Sequence, residues 1–364
     1  MKFSAPREIV LKPLQSVIGV VERKQTMPIL SNVLLVVRDG VLSVTATDLE
    51  VELVAEVSVD DAVDGEITVP GRKLHDIFRA LPDGARVDAT LSGDRMTVKA
   101  GRSRFTLSTL RAADFPTIDD VAGQQTLEID AKALKHLLEK THFSMAQQDV
   151  RYYLNGLLLE TDGARLRGVA TDGHRLALSE ITLDTAARHN EQQIVPRKGV
   201  LELNRLLGDE GRVNLTLGKS HVRLTLDGLR MTSKLIDGRF PDYTRVIPSN
   251  PPNVVTADRQ LMRQALQRAA ILSNEKYRGV RLTLDDGSVV VEANNPEQEE
   301  AVETVEVDYT GTRMEIGFNV NYLLDALGAV DGERVRIGVT DANSSCLITG
   351  DDEGTKFVVM PMRL

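Results

Sequence analysis

The chain has 364 residues, 42% hydrophobic and 27% charged, a composition that excludes long disordered tracts and suffices for two or three domains. Its formal net charge of −9, taken as a sum, argues against a nucleic-acid reader, and its single cysteine, Cys346, excludes an intramolecular disulfide or a multi-cysteine metal site. No apolar run approaches the roughly 18 residues of a membrane span, and MKFSAPREIV lacks the apolar stretch of a secretory leader, so a soluble, reducing, cytoplasmic setting is expected.

Aromatic residues make up 4% of the chain and Trp is missing, so the core must be aliphatic. In chain order, REIVLKPLQSVIGVVERK reads as an amphipathic helix, with Pro13 expected in its opening turn because an interior proline costs about 3 kcal/mol. NVLLVVRDGVLSVTATD follows as a hairpin with an Asp-Gly turn. ITVPGRKLHDIFRALPDG is a strand running into a second helix, and RMTVKAGRSRFTLSTL closes with further strands. The series then repeats. DAKALKHLLEKTHFSM is a helix with Leu134, Leu137 and Leu138 on one face and Asp130 as its N-cap. NGLLLETDGARLRGVATD, QIVPRKGVLELNRLLGDEG and LRMTSKLI complete that copy. The third copy runs through DRQLMRQALQRAAILSNEK, GVRLTLDDGSVVVEANN, IGFNVNYLLDALGAVDGE and KFVVMPMRL, with Leu261, Ala265, Leu266 and Ala269 expected as its first helix's buried stripe.

The period is about 123 residues, too long for a solenoid repeat and long enough for each copy to hold its own core. The expected fold class is α+β: tandem domains over 1–122, 123–248 and 249–364, each with about two helices and a sheet. Large repeats with like-oriented faces curve into an arc or a ring, and head-to-tail pairing gives closed symmetry.

Charge is segregated. Asp48 to Glu66 contains eight acids and no Lys or Arg, and Glu292 to Asp308 contains seven acids and no base. Bases gather in the helical segments instead: Arg23 and Lys24 after the first helix, Arg72, Lys73 and Arg79 on the second, Arg197 and Lys198 in the next copy. Such a molecule presents a positive surface while remaining net negative. The third copy's NVNYLLDALG carries no base and adds nothing to that surface. In GRSRFTL, alternation puts Arg102, Arg104 and Thr106 on one face and Phe105 and Leu107 on the other, the pattern of a strand at an interface edge.

Seven stretches, in order and spacing, make the chain resemble the bacterial DNA sliding clamps from end to end: SMAQQDVRYYLNG, ATDGHRLAL, IVPRKGV, SKLIDGRFPDY, AILSNEKYRGVRL, NNPEQEE and VVMPMRL. The resemblance implies a non-enzymatic processivity factor, with two protomers closing into a six-domain ring, helices inside and sheets outside, around duplex DNA. It implies DNA contacts by Lys24, Arg72, Gln148, Tyr152 and Tyr153. It also implies a groove for peptides of the polymerase catalytic subunit, the clamp loader, translesion polymerases, and mismatch-repair and ligase-type proteins. That groove would comprise Leu154, Thr171, Gly173, His174, Arg175, Leu176, Pro241, Arg245, Val246, Asn319, Tyr322, Ser345, Val359, Met360, Pro361, Met362, Arg363 and Leu364. The homodimer seam would set Phe105 and Leu107 against Ile271 and Leu272, and Lys73, Arg102 and Arg104 against Glu297, Glu299 and Glu300.

Rival readings have weaker support. The Asp, His and Ser of ATDGHRLALSE invite a hydrolase, but there is no Gly-x-Ser-x-Gly elbow, no Walker loop and no dinucleotide glycine pattern. The acids of NNPEQEE suit a hard cation, yet their spacing matches no calcium loop, and ion pairing fits better. No metal and no cofactor is expected.

Overall fold

The computed structural model describes residues 1–21, 27–118 and 123–363. It forms two compact units, Met1–Lys132 with Leu201–Leu235, and Ala133–Val200 with Ile236–Leu364. Six α-helices occur among the described residues: α1 (Arg7–Val17), α2 (Gly71–Ala80), α3 (Ala131–Thr141), α4 (Arg197–Leu206), α5 (Arg259–Ala269) and α6 (Val320–Ala329).

Each unit centres on an eight-stranded antiparallel sheet, and the two sheets have matching strand sequences. In the first unit the order is Gly65–Pro70, Asn32–Arg38, Val41–Thr47, Val51–Ser58, Leu229–Lys234, His221–Leu226, Arg212–Gly218 and Gly123–Asp130. In the second it is Gln192–Pro196, Gly156–Asp162, Arg165–Thr171, Arg175–Thr182, Thr355–Val359, Cys346–Thr349, Arg334–Val339 and Asn253–Asp258. The middle sequence repeat thus contributes four strands to each sheet. A five-stranded sheet ending in the edge strand Ser103–Ser108 completes the first unit, and a four-stranded sheet ending in the edge strand Glu300–Glu306 completes the second.

Local chemistry accounts for these elements. The first hairpin turns at Asp39 and Gly40, both at positive φ (49° and 76°), which the Asp-Gly pair tolerates and the twist of the strands favours. The helices each bury one apolar stripe, such as Val10, Leu11, Leu14 and Val17 on α1, Leu74 and Phe78 on α2, and Leu323, Ala326 and Leu327 on α6. Leu134, Leu137 and Leu138 on α3 are all fully buried.

The structure corrects two expectations here. Pro13 lies inside α1, not in its opening turn. It is buried in the middle of the helix's apolar stripe, and packing of that stripe offsets the lost backbone hydrogen bond. Leu261 is 57% exposed and Met262 takes its place, while Ala265, Leu266 and Ala269 are buried as expected, so that Met262, Ala265, Leu266 and Ala269 make the i, i+3, i+4, i+7 stripe of α5. Asp258 caps α5, its carboxylate accepting the Leu261 N–H at 2.8 Å. Cys346 is fully buried between sheet and helices, and burial pushes its thiol up to about 12.

Candidate functional site

In the second unit, the turn Thr171–Asp172–Gly173–His174 connects two neighbouring strands of the large sheet. It is tightly tied. Asp172 Oδ1 accepts the N–H groups of His174 and Arg175 at 2.9 and 3.0 Å, and its Oδ2 accepts from Arg175 Nε at 3.1 Å. Thr171 Oγ1 donates to the Arg175 carbonyl and accepts the Gly173 N–H. Gly173 has φ +88°, and a Cβ there would sit 3.0 Å from the Arg151 guanidinium, so this position takes only glycine without strain. Ser179 is buried against Thr355, and Asp172 is bound to the turn and to Arg175, so the Asp, His and Ser of this segment serve separate contacts.

Beside this turn opens a cavity of about 210 Å³. Of the expected groove residues, Leu154, Thr171, Gly173, Arg175, Leu176, Pro241, Val246 and Met360 line it. Next to it, His174 stacks on Tyr322 (centroids 6.5 Å apart, 17°), and the Arg175 guanidinium lies 4.6 Å from the Tyr322 ring. Asn319 caps α6 and donates to the Tyr277 carbonyl, and Ser345 Oγ donates to the Val246 carbonyl. Arg245 is an exposed residue paired with Asp242 at 2.8 Å. The terminal segment is held on two sides, by Met360 N–H to the His174 carbonyl (2.9 Å) and Met362 N–H to the Gly317 carbonyl (2.8 Å). Pro361 and Met362 are half-buried, Arg363 is exposed, and Leu364 lies outside the described residues.

The strand Thr355–Val359 is interior, paired with Arg175–Thr182 on one side and Cys346–Thr349 on the other, so it is not an edge that merely completes the sheet. Alternation along it also shifts one assignment. Val359 turns to the helix-side core, and Val358 takes the place in the cavity wall. Arg151, Tyr153, Asp242 and Tyr243 line the cavity too, and nothing in the sequence pattern singled out Asp242 or Tyr243 for it. Arg151 is fixed by Asp149 (2.8 Å), whose carboxyl it holds down to about 2.

The residues expected at DNA lie in two places. In the first unit, Arg72 stands at the start of α2 and donates to the Val21 carbonyl, with its Nε buried and unpartnered among the described residues. Lys24, like Arg23, lies outside the described residues. In the second unit, Gln148 is exposed with φ +56°, and Tyr152 is 56% exposed with its ring edge-to-face on Tyr153 at 5.8 Å.

The seam residues also divide between units. On the edge strand Ser103–Ser108, Arg104 is exposed, Phe105 half-buried and Leu107 buried, with Arg102 in the preceding turn and Lys73 exposed on α2. In the second unit, Ile271 is 75% exposed and Leu272 half-buried in the turn after α5. Glu297, Glu299 and Glu300 are exposed, and Glu299 is tied to Asn295 at 2.6 Å.

Family models described as the N-terminal, central and C-terminal domains of the DNA polymerase III beta subunit match residues 1–119, 128–242 and 244–363. The beta sliding clamp of Pseudomonas aeruginosa is 55% identical and that of Escherichia coli 51% identical, each alignment covering 100% of both chains. A crystal structure of the Pseudomonas aeruginosa clamp bound to griselimycin superposes with a TM-score of 0.97 at 55% identity, covering 100% of both chains.

Proposed function

Because the chain belongs to the bacterial DNA polymerase III beta subunits, the sliding clamps, and is a non-enzymatic polymerase processivity factor, we propose that two copies close head to tail into a six-domain ring around duplex DNA. Helices face the hole, sheets face outward, and each protomer comprises domains 1–122, 123–248 and 249–364. The ring slides without sequence preference and tethers its partners through the cavity beside the Thr171–His174 turn. Those partners are the polymerase catalytic subunit, the clamp loader, translesion polymerases, and mismatch-repair and ligase-type proteins. The setting is cytoplasmic; among the described residues no helix is long and apolar enough to cross a membrane.

The observation that carries the tethering role is the cavity itself. Leu154, Leu176, Val246 and Val358 offer an apolar socket, while Arg151, Arg175 and the exposed His174 supply a polar rim. An apolar anchor on a partner peptide gains its burial there, and the rim fixes its direction. Met360 and Met362 add side chains that adapt to different peptides.

Lys24, Arg72, Gln148, Tyr152 and Tyr153 supply the DNA contacts. Long cationic stems hold phosphates and read no base edges, so they favour retention without register. The seam joins Phe105 and Leu107 to the partner's apolar pair at Ile271 and Leu272, ringed by Lys73, Arg102 and Arg104 against Glu297, Glu299 and Glu300. Two features support it: an open sheet edge in each unit, basic in one and acidic in the other, and the large exposed side chain of Ile271.

Retention on DNA tests the reading. After loading, the protein should stay on nicked circular plasmid and be lost when the plasmid is cut once. Equal retention on both forms would show that it does not encircle DNA.

A further inference from the structure

We propose that Tyr243 is a positioning residue of the peptide cavity: its ring forms one wall, and Glu160, braced by Arg167, holds that wall from behind. This rests on the reading of the cavity as the partner-peptide site and adds which residues set its width.

Tyr243 opens a single helical turn, Tyr243–Arg245, and is 7% exposed. Its ring packs with Leu158, Leu176, Phe240 and Val358. It lines the apolar cavity and also a second cleft of about 860 Å³ that contains Arg165, Arg167 and Glu180. The tyrosine therefore partitions two open spaces. A partition one ring thick keeps its place through what its tip bonds to.

That tip is well held. The Tyr243 hydroxyl donates to Glu160 Oε2, and Gln192 Nε2 donates to Glu160 Oε1 at 2.6 Å. Arg167 reaches Glu160 Oε2 at 3.4 Å through Nη1 and donates from Nε to Glu180. Glu160 stands opposite Arg167, and Arg167 opposite Glu180, on three adjoining strands. The sheet ladder thus fixes the spacing of the whole chain of contacts. Burial, together with the Glu160 carboxylate, pushes the tyrosine hydroxyl up to about 12, so it remains a donor at any physiological pH. Burial works against ionisation of Glu160, but its bonds from Tyr243, Gln192 and Arg167 hold its carboxyl below the usual range.

The first repeat shows that this bracing is specific to the second unit. Phe240-Pro241-Asp242-Tyr243 corresponds to Phe115-Pro116-Thr117-Ile118, where there is no hydroxyl to tie. Val36 and Ser43 occupy the strand positions of Glu160 and Arg167. There the segment is anchored from the opposite side: the buried Glu52, in the place of Leu176, accepts the Ile118 N–H at 2.8 Å. A carboxylate on the inside occupies the socket, whereas one behind the wall leaves the socket apolar and open.

Without its tether the wall would also occupy positions swung toward the larger cleft, and affinity would fall with the fraction that remains competent. The test is calorimetric titration of griselimycin into wild type, Tyr243→Phe, Glu160→Leu and Glu160→Gln, with melting temperature recorded for each. Tyr243→Phe and Glu160→Leu should bind about tenfold more weakly while still folding cooperatively, the fold-change of a lost hydrogen bond to a charged group. Glu160→Gln keeps an acceptor for the hydroxyl and should stay within about threefold of wild type. Wild-type affinity in both Tyr243→Phe and Glu160→Leu would overturn the proposal, as would equal losses in the Gln and Leu variants. Failure of the groove reading looks different: a charge placed at Leu176, with Tyr243 and Glu160 intact, would then leave griselimycin binding unchanged.

Discussion

The two large sheets meet the same structural problem in opposite ways. At the centre of each, a strand from one repeat pairs with a strand from the next: Val51–Ser58 with Leu229–Lys234, and Arg175–Thr182 with Thr355–Val359. The registers correspond rung for rung, so Glu52 facing Thr232 matches Leu176 facing Val358. In the first junction the rung is polar, and Glu52, only 2% exposed, holds the connecting segment from within. In the second it is apolar, and the polar anchoring lies outside the socket. One backbone plan thus gives a polar junction and an apolar one, and the Glu52–Thr232 rung against the Leu176–Val358 rung is the difference nearest the cavity.

Exchanging the Leu176 side chain should have the largest effect. Leu176→Glu puts the first junction's carboxylate into the second and sets a charge in an apolar socket, so affinity for a partner peptide with an apolar anchor should fall by about two orders of magnitude or more. Titration of the folded variant would check this, and undiminished binding would mean that the socket is not where the ligand sits.

A smaller effect is expected from neutralising the polar junction. Burial raises the Glu52 carboxyl above the usual range despite the Ile118 N–H and the nearby Arg230 and Arg223. A carboxyl whose folded value is raised makes the wild type lose stability as pH climbs through the carboxylate range. Glu52→Gln keeps the acceptor without the charge, so it should melt higher than wild type at neutral pH. The difference should shrink as pH falls through that range; a gap that is constant with pH would exclude ionisation as its cause. Partner-peptide affinity should be untouched.

The smallest effects concern cations that bridge helices near each junction. In the first unit, Arg205 on α4 donates to the Ser16 carbonyl of α1. In the second, Lys140 on α3 donates to the Ala329 carbonyl at the end of α6 and to Asp331, both at 2.6 Å. The cation has changed sides. Lys140→Met should cost about 1–2 kcal/mol, since this side chain is largely buried and meets a helix C-terminus, and Arg205→Met less. Denaturant midpoints of the two variants would rank them; equal losses would show that the junctions do not differ in this respect, and the reverse order would overturn the ranking.

Local periodicity made most of the architecture legible. The Asp-Gly hairpins, the Val-Pro strand-to-helix openings and the aliphatic stripes all follow from neighbours within a few residues, and the edge pattern of GRSRFTL needed nothing more than alternation. Pro13 and Leu261 escaped because tertiary burial decides a proline's tolerance and a stripe's phase, and burial is not a local quantity. At the cavity, the turn residues Thr171 to Leu176 are reached through the resemblance that ATDGHRLAL carries, whereas Val358 and Val359 differ only in strand phase, which the pairing with Arg175–Ser179 sets. Tyr243 and Glu160 are 83 positions apart, and no spacing rule links them. Their partnership exists only once the strands are assembled.

The buried thiol of Cys346 has a practical consequence. As the chain's one cysteine, shielded from solvent and held protonated, it will not compete with a second thiol introduced on the surface. Dyes, spin labels or crosslinkers placed at an engineered position can therefore be attached to the native background without first removing anything. Optical or magnetic distance measurements on this molecule begin from a silent starting point.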